Sequence, residues 1–194
     1  MTTAHNAPAG PGPGRGAPMN TASSPFEPVT IGPLTLRNRF IKSGANEAMC
    51  LDGRPTRALL QHHSELARGG VGMTTLAYCA VSENGRVSRD CLVFTDALTD
   101  DLRRLTDAVH REGAAVSLQL GHCGWFTKNQ ELSTRLPRGP SFALNAYGLT
   151  VGKPIALAMS AAEIARVIEE FGRAAGLARD AGFDAVELHL GHGY

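Results

Sequence analysis

Residues 181–194 read Ala-Gly-Phe-Asp-Ala-Val-Glu-Leu-His-Leu-Gly-His-Gly-Tyr. Gly182 stops whatever precedes it, and Phe183 to Leu190 then alternates. Side chains on a strand point to opposite faces in turn, so Val186, Leu188 and Leu190 face one way. Ala185, Glu187 and His189 face the other. An upstream strand, Ala114 to Leu120, divides in the same manner, with Val116, Leu118 and Leu120 opposite Ala115, Ser117 and Gln119. An open doubly wound sheet is covered by helices on both faces, so its strands are apolar on both. A face carrying Glu, His, Ser and Gln fits instead the interior of a barrel, whose ligand site lies at the C-terminal strand ends.

Outward from these strands the chain alternates. Ala161 to Asp180 reads as a helix on Ile164, Val167, Ile168, Phe171 and Leu177. Ser160 stands as its N-cap, and Glu163 completes a capping box. Asp101 to Glu112 is helical through Leu102, Leu105, Ala108 and Val109, with Gly113 as the stop. Val71 to Val81 is a strand. Thr56 to Arg68 is a helix with Leu59, Leu60 and His63 near one face, ended by Gly69-Gly70. Arg39 to Ser43 is a short strand, and Val29–Ile31 with Leu34–Leu36 makes a hairpin around Gly32-Pro33. Residues from about 121 to 159 read as a polar loop. Strands alternating with helices predict an α/β fold with parallel strands and right-handed crossovers. About four βα units after a short N-terminal hairpin could make a small open sheet or half of a barrel; strand parity favours the barrel, and the resemblance given below implies the N-terminal half of a (β/α)8 TIM barrel. Residues 1–25 are Ala-, Gly- and Pro-rich, cannot bury enough apolar area to offset their ordering entropy, and are expected to be a disordered tail. The expected domain is 26–194.

Composition narrows the function classes. The 194 residues carry a formal net charge of +1, with 43% hydrophobic and 19% charged side chains. That balance gives no electrostatic reason to expect a nucleic-acid or anionic-membrane partner. Mean hydropathy is −0.11, and no stretch approaches the roughly 20 apolar residues of a membrane span. Met1 to Ser24 lacks the basic and apolar blocks of a signal peptide, so a cytoplasmic location is expected. Cys50, Cys79, Cys91 and Cys123 have no C-x-x-C spacing and read as packed, reduced thiols.

Four strand ends place unusual residues together: Ser43-Gly44-Ala45-Asn46, Ala77-Tyr78, Gln119 with His122-Cys123-Gly124, and the closing His189 to Tyr194. Several of these segments carry a resemblance. Asn38-Arg39-Phe40-Ile41, Arg68-Gly69-Gly70-Val71-Gly72, Gln119-Leu120-Gly121-His122-Cys123-Gly124 and residues 181–194 are similar, in order and spacing, to segments of the Old Yellow Enzyme family. The resemblance runs from about Phe26 to Tyr194, and the last segment is the most discriminating.

The resemblance implies an FMN-binding barrel that takes hydride from NADH or NADPH and passes it to a small-molecule acceptor, an activated alkene such as an enone. On that basis Ser43, Gly44, Ala45 and Asn46 match the loop along the flavin. Tyr78 matches a residue whose backbone touches the isoalloxazine, and Gln119 matches the side chain on the pyrimidine edge. His189 and His192 match the pair that grips the substrate's electron-withdrawing oxygen and the nicotinamide amide. Tyr194 matches the proton donor to the substrate α-carbon. Departures accompany the match: Gly44-Ala45 stands for Pro-Met or Pro-Leu, Asn46 for Thr or Cys, Trp125 for Arg, and Tyr78 is larger than the family's small residue. Cys50 is out of register with the flavin loop. Barrels usually hold a cofactor phosphate with the loops after strands seven and eight. A chain stopping at the fourth strand is therefore expected to bind FMN weakly. Two rival readings stand beside the oxidoreductase. One is an inactive half-barrel that pairs with another chain. The other is a metal-dependent barrel enzyme with His122, His189 and His192 as ligands. A homo-oligomer stays open.

Overall fold

A computed structural model describes residues 24–194. The expectation for residues 1–25 falls almost wholly outside them. At Ser24 and Pro25 the chain is already tied down: Glu27 N–H donates to Ser24 O at 3.1 Å, and Arg39 N–H donates to Pro25 O at 2.9 Å.

The hairpin β1 (Val29–Ile31) and β2 (Leu34–Leu36) is antiparallel, as its Gly-Pro turn predicts. It leads into β3 (Ile41–Lys42), a small hairpin of β4 (Cys50–Leu51) and β5 (Arg54–Pro55), and α1 (Arg57–Arg68). The alternation continues through β6 (Met73–Ala80), β7 (Leu92–Val93), α2 (Thr99–Arg111) and β8 (Ala115–Gly121). Three short strands follow, β9 (Arg138–Gly139), β10 (Ala143–Leu144) and β11 (Ile155–Ala158), before α3 (Ala161–Asp180) and β12 (Ala185–Leu188). The main sheet runs β12-β8-β6-β3, with β7 beside β6, and its pairings are all parallel. Four parallel strands with helices between them make the expected partial barrel.

The helices form where their caps and stripes say they should. Thr56 Oγ1 accepts from Leu59 N–H ahead of α1, and the Ser160–Glu163 box ahead of α3 is complete in both directions. Leu102, Leu105 and Val109 of α2 lie in the core with Val116, Leu118 and Leu120 of β8, all fully buried. At about 1.5–3 kcal/mol for each large side chain taken out of water, this layer dominates the fold's stability.

Two expectations are corrected. The segment 121–159 is not merely a loop: β9, β10 and β11 pair into a three-stranded sheet, and a 3₁₀ turn covers Ala146–Val151. Strands of two to four residues carry too little periodicity to read. The apolar stripe of α3 is also only partly buried. Ile164 and Ile168 are 44% and 67% exposed, while the small residues Ala174 and Ala178 make the tight contact. Val186, Leu188 and Leu190 on the outer face of the last strand are likewise exposed. No described element covers this side.

One side chain ties the layers together. Arg37, just after β2, donates from Nε and Nη2 to Val71 O at 3.1 and 2.8 Å, from Nη1 to Glu112 O at 2.7 Å, and from Nη2 to Ala67 O. A single planar fork thereby satisfies carbonyls at the ends of α1 and α2 and at the entry to β6. Arg37→Met is expected to lower the unfolding free energy by about 2–4 kcal/mol, read from the urea midpoint. Arg37→Lys should recover only part of it, because one ammonium cannot span three carbonyls.

Candidate active site at the C-terminal strand ends

Parallel register decides which side chains meet. Gln119 pairs with Glu187, one step above Ser117 with Ala185. Both long polar side chains fall on the inward face, where Gln119 Nε2 donates to Glu187 Oε1 at 2.5 Å. Gly44 lies against this pair. A Cβ built there would stand 2.3 Å from Gln119 Nε2 and 3.2 Å from Glu187 Oε1. A side chain at residue 44 would have to displace the end of Gln119, so glycine lets the loop after β3 approach this pair without disturbing it.

That loop is stitched to the end of β6. Asn46 bridges Ala77, and Glu47 Oε2 accepts from Ala77 N–H at 3.2 Å. Lys42 pairs with Glu47 and donates to Thr75 O at 2.8 Å. Ser43, Ala45 and Asn46 stay exposed along the rim.

Beyond β12 the chain turns back over the sheet. His189 N–H donates to Leu120 O at 2.8 Å, extending the parallel ladder. His192 sits at φ +58°, and Trp125 Nε1–H donates to Gly193 O at 2.6 Å, which holds the turn. His189 Nε2 and His192 Nδ1 are 2.9 Å apart and share one proton. In that arrangement a neutral pair presents a single outward N–H. Two outward donors require this contact to open or a further proton to bind. The ring of Tyr194 lies 4.9 Å from that of His189 and 5.6 Å from that of His192, and packs on Phe126 at 5.7 Å. Burial, then His192, lowers the His189 pKa. Burial, then the nearby Cys123, pushes the Tyr194 phenol up to about 12. The phenol therefore keeps its proton at neutral pH.

His189, His192 and Tyr194 pack together after β12, while Gln119 lies on the inward face of the neighbouring strand, bonded to Glu187. Tyr78 contributes a buried side chain rather than backbone alone, packed against Tyr194. His122 does not join them: it turns to a polar hollow lined by Arg138, Glu163 and Arg166, and its Nδ1 accepts from Gly124 N–H at 3.1 Å. Among the described residues no three His, Cys, Asp or Glu side chains gather as a metal site, so the three-histidine ligand set does not form. Sequence reading missed Phe126, Tyr147 and the Gln119–Glu187 bond. Phe126 stacks on Tyr147 at 4.6 Å and 4° and backs Tyr194. The aromatic doublet Trp125-Phe126 was its one visible signal.

A parallel α/β sheet with a polar inner face, capped by an imidazole pair and a phenol, defines a partial barrel of the enzyme type. The chain belongs to the NADH:flavin oxidoreductase / NADH oxidase family, whose model matches residues 24–194. It is 47% identical over 180 residues to the 4,4'-dithiodibutanoate disulfide reductase of Rhodococcus erythropolis, covering 91% of this chain and 43% of that protein. It is 32% identical over 176 residues to the NADPH dehydrogenase of Bacillus subtilis (strain 168), covering 87% and 48%. The Old Yellow Enzyme homologue from Zymomonas mobilis superposes with a TM-score of 0.76 at 26% identity, over 89% of this chain and 50% of that one. The chain spans about half the length of the relatives it matches. No described helix is long and apolar enough to cross a membrane.

Buried histidines set an acid limit. Burial lowers His122 from 6.5 to about 4, and burial with Lys42 lowers His63 from 6.5 to about 3. Below pH 6.5 the unfolded chain takes up protons that the folded chain refuses, so stability falls with pH towards those lower values. Each group costs up to about 1.4 kcal/mol per pH unit in that window. His122→Gln should flatten the fall of the urea midpoint between pH 6.5 and 4.5, leaving the His63 share.

Proposed function

We propose that this chain carries the flavin-ring and acceptor-binding residues of an FMN-dependent NAD(P)H oxidoreductase. What carries the reading is the cluster of His189, His192 and Tyr194 beyond the polar strand face that bears Gln119. The residues fit the group. Gln119 offers an amide donor and acceptor suited to the pyrimidine edge, and Gly44 leaves its loop close enough to lie along a planar ring. In this reading Ser43, Gly44, Ala45 and Asn46 line the ring, with the backbone at Tyr78 on its other flank. FMN, when bound, supplies the two-electron carrier between nicotinamide and acceptor.

The chain's own groups do the rest. Hydride reaching the β-carbon of an activated alkene builds negative charge on the carbonyl oxygen, and the outward imidazole N–H stabilises it. Tyr194 holds a proton on its phenol oxygen for the α-carbon. Phe126 backs the Tyr194 ring and is itself stacked on Tyr147.

A second acceptor class has support from the relative named as a disulfide reductase. Hydride attack on one sulfur breaks the S–S bond, leaving one thiol and one thiolate. The same N–H donor would stabilise the leaving thiolate. With a thiol pKa of about 8.5, that group departs without a proton from Tyr194. The two acceptors are therefore separable by one substitution. In FMN-loaded protein, Tyr194→Phe is expected to slow 2-cyclohexenone reduction by about 10²-fold or more. It should spare nicotinamide oxidation, and reduction of 4,4'-dithiodibutanoate should change little. Equal loss on both acceptors would remove the proton-donor role. Chain incubated with excess FMN that takes up none would count against the whole reading.

A further inference from the structure

Tyr78 stands at a break in the register. Pairing between β6 and β8 shifts between Leu76 and Cys79, so Ala77 and Tyr78 leave the ladder at the strand end. The freed ring crosses onto the neighbouring strand. A Cβ built on Gly121 of β8 would lie 2.2 Å from Cε2 and 2.9 Å from Cδ2 of Tyr78, and 3.3 Å from the Cβ of His189. No side chain larger than hydrogen fits beneath the ring. The Tyr78 hydroxyl donates to Gly85 O, which fixes the far end. Ala77, Ala80, Cys91 and Val93 enclose the ring, and it is 7% exposed. On its open side it meets His189 and Tyr194 edge-on, each at 6.0 Å, with interplanar angles of 74° and 71°.

We infer that Tyr78 is a positioning residue, a wedge seated in the notch of Gly121 that holds the rings of His189 and Tyr194 in place. The ring is anchored on the β6 side and reaches across β8 to the turn after β12. The same turn is held from the other side by Trp125 Nε1–H donating to Gly193 O and by Phe126 packed on Tyr194. Packing at native density lets the wedge limit the tilts open to both rings. Its catalytic meaning rests on the reading of His189 and Tyr194 above, whereas the seating itself does not.

Two measurements on the full chain without added flavin test it. The first is a double-mutant cycle read by thermal unfolding. Gly121→Ala alone should lower Tm by roughly 4–8 °C, since overpacking forces the ring from its seat. In a Tyr78→Ala background the same substitution should change Tm little, because the notch is empty. Equal falls in both backgrounds would overturn the seating.

The second reads position directly, as the titration midpoint of His189 by imidazole NMR. The groups facing that ring are His192 at 2.9 Å, Glu187 on its own strand, and the phenols of Tyr78 and Tyr194. Tyr78→Ala should admit water and raise the midpoint towards the ordinary histidine value. Tyr78→Phe, which keeps the ring and loses only the bond to Gly85, should leave the midpoint at the wild-type value. A midpoint unmoved by Tyr78→Ala would refute the positioning role. If Tyr78→Ala does not fold, Tyr78→Leu serves in both experiments. Neither result depends on FMN, so failure here and failure of the flavin reading are told apart.

Discussion

Register in the parallel sheet is the constraint on which the site depends. Thr75, Ser117 and Ala185 share one level across three strands, and Gln119 and Glu187 share the next. A slip of one residue in β12 would turn Val186 and Leu188 inward and send Glu187 and His189 to the helix side. Buried contacts resist this on the neighbouring strand: Val116, Leu118 and Leu120 are locked against α2, with no exposure. Asp184 adds a polar lock, since its carboxylate accepts from Val116 N–H at 2.8 Å and pairs with His110 of α2 at the same distance. The chemistry at the top of the sheet is thus indexed by apolar packing at its back.

The sequence made the large elements legible because each carries its signal locally. The Ser160–Glu163 box and Gly182 delimit α3 by backbone hydrogen bonding alone, and Leu102, Leu105 and Val109 repeat at helical spacing. The strand parity that placed Gln119 and His189 on one face also needs no tertiary information. What stayed hidden depends on partners distant in the chain. Tyr147 meets Phe126 only because the small sheet of β9, β10 and β11 folds that segment back. The contact of Gly44 with Gln119 crosses 75 positions of chain, and nothing near Gly44 announces it. His122 is the reverse case: sequence offered it only as a ligand in the rival metal reading, and the pleat that turns Gly121 inward turns its neighbour away from the site.

The exposed stripe of α3 and the outer face of β12 belong together. Ile164, Ile168, Val186, Leu188 and Leu190 are larger and more apolar than a solvated surface requires. The relatives are about twice as long as this chain, and a closed barrel would place a further strand and helix on this side. The pattern of α3 was therefore readable as apolar but not as buried. Periodicity reports the face a helix prefers to hide, not whether the chain in hand provides cover.

Protonation ties the geometry to the chemistry. The fold keeps Tyr194 a neutral acid by withdrawing its phenol from water among Phe126, Tyr78 and Cys123. It keeps His189 a neutral base by the same means, with His192 adding like-charge repulsion against a second proton. In the proposed reaction, charge would develop on the acceptor as hydride arrives. A hydrogen-bond donor is worth most where charge develops in a water-poor site. Because the imidazoles are bonded to each other, that donor is a single outward N–H until the pair opens. On the proposed reading, an acceptor would therefore either be satisfied by one donor or break the His189–His192 contact to recruit the second.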